Sequence, residues 1–246
     1  VVSKVLGIKE KSKPSNSLVD QIVKNLLKAI FDGSYQPGAN LREMRIAREY
    51  GISQATVREA LQQLEAAGLV TREANVGTTV TRLSPKEVRE RVELRACLEV
   101  RAAEEAALRM RPEDFVELER RLATLAKAIQ TDAYYEAAQA DLEFHRYIWI
   151  CSGNETLCQV LNHLTVPLLA FVSVLRASGL EHLVDITAAH EPLVEALRSR
   201  QVARIAEVFA GSVYSSYEQF MDVTAASRRA QAFGMMVEGK PGPSSS

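Results

Sequence analysis

The chain has 246 residues, 47% of them hydrophobic and 25% charged, with a formal net charge of −1. These values suit two globular domains, each with its own core, and argue against a collagen-like repeat or a disordered chain. No run reads as long enough to cross a membrane, Val1 to Ser17 lacks the apolar core of a secretory signal, and Cys97, Cys151 and Cys158, without zinc-ligand spacing, read as reduced thiols in a cytoplasm.

In chain order, residues 1–16 (VVSKVLGIKEKSKPSN) read as a flexible basic arm. Leu18, Ile22, Leu26 and Ile30 fall at helical spacing and predict a helix over Ser17 to Asp32, after which Gly33 and Pro37-Gly38 turn the chain. Residues 41–50 predict a short helix with Leu41, Ile46, Ala47 and Tyr50 as its apolar positions, stopped by Gly51. Ser53 is a good cap for a second helix, Gln54 to Ala67, whose stripe Val57, Ala60, Leu61 and Leu64 faces a core. Gly68 ends that helix. Leu69, Val70 and Thr71 begin a strand that turns at Asn75-Val76-Gly77 and returns through Thr78 to Thr81. Two helices joined by a tight turn and followed by a hairpin predict a winged helix-turn-helix over residues 17–82, with the hairpin as its wing.

The face opposite that stripe begins with Ser53, Gln54, Ala55, Thr56 and Arg58, short polar groups followed by a long cation. Residues at the start of a recognition helix reach base edges and phosphates. Arg42, Arg45 and Arg48 are candidate phosphate contacts, with a solvated surface as the alternative for each. Residues 1–82 carry twelve Lys and Arg against eight Asp and Glu, net +4, which leaves −5 for the rest. One end is therefore suited to DNA and the other is not. A margin this modest favours two copies on a two-fold symmetric site.

Thr81 to Leu83 reads as a linker, and Ser84-Pro85-Lys86-Glu87 as a capping box that opens a second domain over residues 84–223. Six helices are predicted there, over 85–110, 112–130, 132–151, 155–177, 180–199 and 201–222, with a kink at Pro167. The fold class expected is mainly α: the winged head followed by an antiparallel six-helix bundle. Residues 224–246, ending in Gly-Lys-Pro-Gly-Pro-Ser-Ser-Ser, read as a disordered tail.

Three polar side chains point into this bundle. Asp141 and His145 lie one turn apart on a face that carries Ala138, Leu142, Ile148 and Trp149, and His190 sits between Ile186 and Leu193. A buried carboxylate and two imidazoles are costly unless paired or bound. A divalent metal (Zn, Ni, Mn or Fe) is one answer, and a metal-free hydrogen-bond network is the other. Arg95, flanked by Leu94, Leu98 and Arg101-Ala102, either receives a carboxylate or pairs with Glu99 one turn on. His163 and His182 fall off the inward stripes and read as surface or interhelical residues.

Val57-Arg58-Glu59-Ala60-Leu61 and Glu65-Ala66-Ala67-Gly68-Leu69-Val70, in this order and spacing, closely resemble the DNA-binding domain of the GntR family of bacterial regulators. Behind them, Glu93-Leu94-Arg95, Leu98-Glu99, Asp141 to Arg146, Ser152-Gly153-Asn154 and His190 with Leu193 and Ala196-Leu197 resemble its FadR-like subgroup. The resemblance implies that Arg58 contacts the operator, that the hydroxyls of Ser53 and Thr56 meet phosphates or bases, and that the wing at Gly77 joins the DNA-binding set. Most members carry arginine where this chain has Gln54; arginine favours guanine, whereas glutamine pairs bidentately with adenine. Many members of the subgroup hold a metal with residues matching Asp141, His145 and His190 plus a third histidine from the last helix. Ser212 stands at that fourth position, which water or a ligand carboxylate would then fill, and Arg95 would clamp an acidic effector.

The function expected from this resemblance is a cytoplasmic, homodimeric transcriptional regulator, a repressor, on a pseudo-palindromic operator. A small organic acid bound in the bundle would set its operator affinity. Two alternatives from other classes are a metal-dependent enzyme using the bundle site and an effector-independent architectural DNA-binding protein.

Overall fold

The computed structural model describes residues 17–73, 77–131, 133–177 and 186–221. Ser17 accepts a hydrogen bond from the backbone N–H of Asp20 and caps α1 (Leu18–Phe31), whose buried stripe runs from Ile22 to Phe31. Helix α2 (Glu43–Tyr50) ends at Gly51, whose φ of 65° is the left-handed position a β-carbon disfavours. The Oγ of Ser53 accepts from Thr56 N at 3.1 Å and caps α3 (Gln54–Ala66), which buries Val57, Ala60, Leu61 and Leu64. Strands β1 (Val70–Glu73) and β2 (Gly77–Val80) pair antiparallel, with Val70 opposite Val80 and Glu73 opposite Gly77.

Leu41 departs from the sequence expectation. It is buried, yet extended rather than helical: its N–H donates to Thr78 O at 2.8 Å, and Asn40 bridges to Thr79. Residues 38–41 thus pair with the open edge of β2 before α2 begins, because Pro37-Gly38 delivers an unpaired backbone there.

Ser84 opens α4 (Pro85–Arg109) through a reciprocal capping box with Glu87. It is followed by α5 (Pro112–Gln130), α6 (Tyr134–Cys151), α7 (Glu155–Ala177), α8 (Ile186–Ser199) and α9 (Val202–Met221). The third bundle helix therefore starts at Tyr134, two residues later than its spacing suggested. Helix α7 runs through Pro167 as one helix. It also corrects the reading that no run could span a membrane: Glu155–Leu175 is long and apolar enough, with a mean hydropathy of 1.6, but is 72% buried inside the protein. It packs as a core helix against α1, α4 and α6, which accounts for its high apolar content. The expectations for the basic arm, Asn75-Val76, His182 and the tail from 224 onward fall outside the described residues.

Head and bundle share one hydrophobic cluster. Leu26, Leu61 and Leu64 of the head belong to the same buried group as Tyr135, Trp149, Leu161 and Val166 of the bundle. Ser173 Oγ on α7 donates to Phe31 O at the end of α1 at 2.9 Å, in a buried position. Gly68, which closes α3 at φ 75°, leaves little room for a side chain: a β-carbon there would lie 3.1 Å from Pro167 Cγ, which would have to give way by a few tenths of an ångström.

Candidate functional site

Two sites emerge, one at each end. On the head, Ser53, Gln54 and Arg58 are exposed along the outer face of α3, Thr56 is half-buried beside them, and Arg45 is exposed on α2. Ser53 Oγ and Thr56 Oγ1 lie 2.9 Å apart, so the two hydroxyls form one polar start to the helix. Gly77 is exposed at the first position of β2, where its φ of 99° accommodates the turn. All the residues assigned to DNA contact thus stand on exposed or half-exposed positions of α2, α3 and β2.

The sequence reading missed Glu43. Its carboxylate takes Gln54 Nε2 on Oε2 at 3.0 Å, Arg58 Nη2 on the same oxygen at 3.0 Å and Arg58 Nε on Oε1 at 3.4 Å. Arg72 on β1 lies 3.9 Å from Oε1. The hydrogen bond from Arg58 outweighs modest burial and holds the Glu43 carboxyl below its usual range. No spacing rule links residues 43 and 58; only the turn at Gly51 brings α2 and α3 together.

The second site lies inside the bundle. Helix α6 supplies Asp141, His145 and Trp149, α4 supplies Arg95 and Glu99, α8 supplies His190 and α9 supplies Tyr217. His190 Nε2 is 2.9 Å from Asp141 Oδ1, and the two imidazole rings meet edge to face with centroids 5.1 Å apart. One ligating atom from each of Asp141, His145 and His190 can be chosen so that all lie within 4.8 Å of one another. Burial opposes charge on Asp141, but His190, His145 and Arg95 outweigh it and hold the carboxyl well below its usual range.

Arg95 pairs with Glu99 on its own helix. It is buried, its Nε donates to Glu99 Oε1 at 3.1 Å, and its Nη1 donates to the Tyr217 hydroxyl at 3.0 Å. Leu94, its neighbour in sequence, is 57% exposed and does not enclose it. Glu99 is fully buried and also accepts from Trp149 Nε1 at 2.7 Å, while His145 Nδ1 stands 3.6 Å from its Oε1. Burial alone would raise the Glu99 carboxyl; His145, Arg95 and Trp149 instead pull it down to about 2. The role of Glu99 as a hub was not legible in the sequence, where it registered only as a helical partner for Arg95. Ser212 is half-buried, and its carbonyl accepts the hydroxyls of Ser215 and Ser216. Tyr217, one turn and a half further along α9, is the side chain that reaches Arg95. His163 is exposed on α7, close to Gly68 of the head, as an interhelical position.

The donor set fits a divalent cation. A carboxylate and two imidazoles converge, and His145 Nδ1 is buried with no hydrogen-bond partner of good length. Asp141, His145 and His190 would hold such an ion, and it would supply a Lewis-acidic centre inside the bundle.

Comparison with known proteins covers both parts of the chain. Residues 18–80 match the family described as bacterial regulatory proteins, gntR family, and residues 90–211 match the FCD domain. A protein of Paenarthrobacter nicotinovorans named "Probable D-xylose utilization operon transcriptional repressor" is 30% identical over 74% of this chain and 80% of its own length. The chain belongs to the GntR family. YdhC of Bacillus subtilis, an HTH-type transcriptional regulator, is 29% identical over 73% of this chain and 80% of its own length. The structure of Escherichia coli McbR/YncC superposes with a TM-score of 0.69 at 22% identity, covering 83% of this chain and 97% of that one, and supports the fold. This GntR protein is a DNA-binding transcriptional regulator whose FCD domain is its effector-binding part.

Proposed function

We propose that this regulator is a dimeric, cytoplasmic repressor that binds a pseudo-palindromic operator and is controlled by a small organic acid held at a divalent metal in the bundle. The observation that carries the reading is the buried convergence of Asp141, His145 and His190 beside the Arg95–Glu99 pair. With neutral imidazoles, the form that ligates a metal, Arg95 balances Glu99, and Asp141 leaves the cluster one negative charge in excess. Such a site attracts a cation and repels a carboxylate. With a divalent cation held by Asp141, His145 and His190, the local charge would become positive and a Lewis-acidic position would be offered to the effector's carboxylate. Asp141, His145 and His190 would hold the metal, and Arg95 would orient the acid if Glu99 and Tyr217 yield part of its guanidinium. Ser212 on α9, half-buried, would leave the fourth position to water or to the effector's carboxylate.

The second reading, a metal-free network, draws on the 2.9 Å contact between His190 and Asp141, in which the carboxylate alone orients the imidazole. Turnover of the acid is not part of either reading, since the family and the relatives are named as regulators. Operator release would follow from differential effector affinity for two arrangements of the heads.

A thermal-shift screen tests this. The protein is melted as isolated, after chelation, and after restoring Zn, Ni or Mn, each with and without small carboxylates. Stabilisation by a carboxylate only when metal is present, lost in Asp141→Ala, is the expected result. Stabilisation indifferent to metal would establish the metal-free network instead.

A further inference from the structure

We propose that Glu43 is a specificity-positioning residue: it buttresses Arg58 and Gln54 so that each presents only its base-reading edge to the major groove. The inference rests on the reading of α3 as the helix that enters DNA.

Glu43 engages the Nε and Nη2 side of the Arg58 guanidinium. The end formed by Nη1 and the second Nη2 hydrogen stays available, and that fork matches the O6 and N7 acceptors of guanine. Gln54 spends one Nε2 hydrogen on Glu43. Because a carboxylate only accepts, the amide must turn its nitrogen inward, which leaves one N–H and the Oε1 acceptor for the Hoogsteen edge of adenine. One carboxylate therefore fixes the orientation of both reading side chains and couples the two bases they would select.

Stability does not account for this arrangement. The Arg58 side chain is 53% exposed and the pair lies at the surface, where ion pairs contribute little. Its effect lies in orientation, since a long cation held in place before binding loses less freedom on meeting its base. The same carboxylate, kept ionised by Arg58, repels phosphates that approach out of register, so it penalises wrong sequences as well as favouring the right one. Arg72 at 3.9 Å extends the cluster to β1 and ties the wing to the reading helix.

The test uses the full chain and an operator selected from random duplexes. Fluorescence anisotropy at fixed salt compares that operator, its single-base variants and a scrambled duplex for the wild type, Glu43→Ala, Glu43→Gln and Arg58→Ala, and circular dichroism verifies folding. Glu43→Ala is expected to lower the operator-to-scrambled affinity ratio by about tenfold or more while leaving scrambled binding unchanged or tighter. Glu43→Gln, which keeps an acceptor without the charge, is expected to fall between. In the Arg58→Ala background, Glu43→Ala should have at most a small further effect on the ratio. Arg58→Ala leaving operator binding unchanged would remove the reading-helix premise itself. Arg58→Ala weakening it while Glu43→Ala leaves the ratio intact, or raises operator affinity as an inhibitory contact would, overturns the role of Glu43 alone.

Discussion

Glu99 shows how much can hang on one buried carboxylate. It serves Arg95 and Trp149 directly and faces His145, all inside the bundle. Removing it leaves a guanidinium buried without a counter-charge, so Glu99→Ala should destabilise the protein by about 3–5 kcal/mol. Glu99→Gln keeps an acceptor and should cost less. Urea unfolding followed by circular dichroism separates the two, and equal small losses would show that the Tyr217 hydroxyl suffices for Arg95. At the other end of the chain, Arg58→Ala should weaken operator binding by about 1–3 kcal/mol at fixed salt. The loss should concentrate on one base position if Arg58 reads a base, and spread evenly over sequences if it meets phosphate.

Among the elements, the ends of helices carry most of the local information. Gly68 closes α3 with a left-handed backbone pressed against Pro167 of α7, so Gly68→Ala meets both a positive φ and a tight contact. A loss of about 1–2 kcal/mol is expected from the backbone alone, read as a lowered melting temperature. Asp114 near the start of α5 accepts the Arg111 N–H at 2.8 Å and the Tyr147 hydroxyl at 2.7 Å, tying α5 to α6. The Arg111 N–H and then the Tyr147 hydroxyl hold its carboxyl below the ordinary value. Its stabilising contribution is therefore complete above an unfolded pKa of about 3.9 and is lost as pH falls through the lower folded value. Because the group is partly exposed, the effect should be no more than about 1 kcal/mol. Asp114→Asn should lower stability at pH 7 and leave it nearer the wild type at the acid end. A parallel offset at every pH would remove the carboxylate charge from the account.

For the whole molecule, the shared cluster under α1, α3, α6 and α7 packs head and bundle against each other. Helix α6 carries Asp141 and His145, and its next residue, Arg146, donates to Asn162 on α7. Helix α7 in turn presses on the head at Gly68 and Phe31. Packed side chains thus lead from Asp141 and His145 to the base of the reading helix, and a double-mutant cycle would measure whether energy is coupled along them. The chain has one tryptophan, Trp149, fully buried in the shared cluster. Its fluorescence and the far-UV ellipticity should therefore change in a single coincident urea transition. Two separated transitions would show that the head unfolds independently.

The sequence by itself determined what depends on neighbours along the chain. Ser17, Ser53 and Ser84 cap helices, and Gly51 and Gly68 end them, because capping and left-handed backbone are local chemistry. The stripe Val57, Ala60, Leu61, Leu64 and the inward turn of Asp141 and His145 followed from helical period. The tertiary structure decided what depends on residues far apart in sequence. Leu41 read as helical because its spacing fits, but the unpaired edge of β2 claims its N–H. Arg95 and Glu99 are neighbours on one helix, but only α9 brings Tyr217 to the guanidinium and only α6 brings Trp149 to the carboxylate. Glu43 carried no pattern at all, since its link to Arg58 exists only once the turn folds α2 across α3. Periodicity reports which face of an element turns inward; only packing determines which groups meet there, and in what state of charge they can remain.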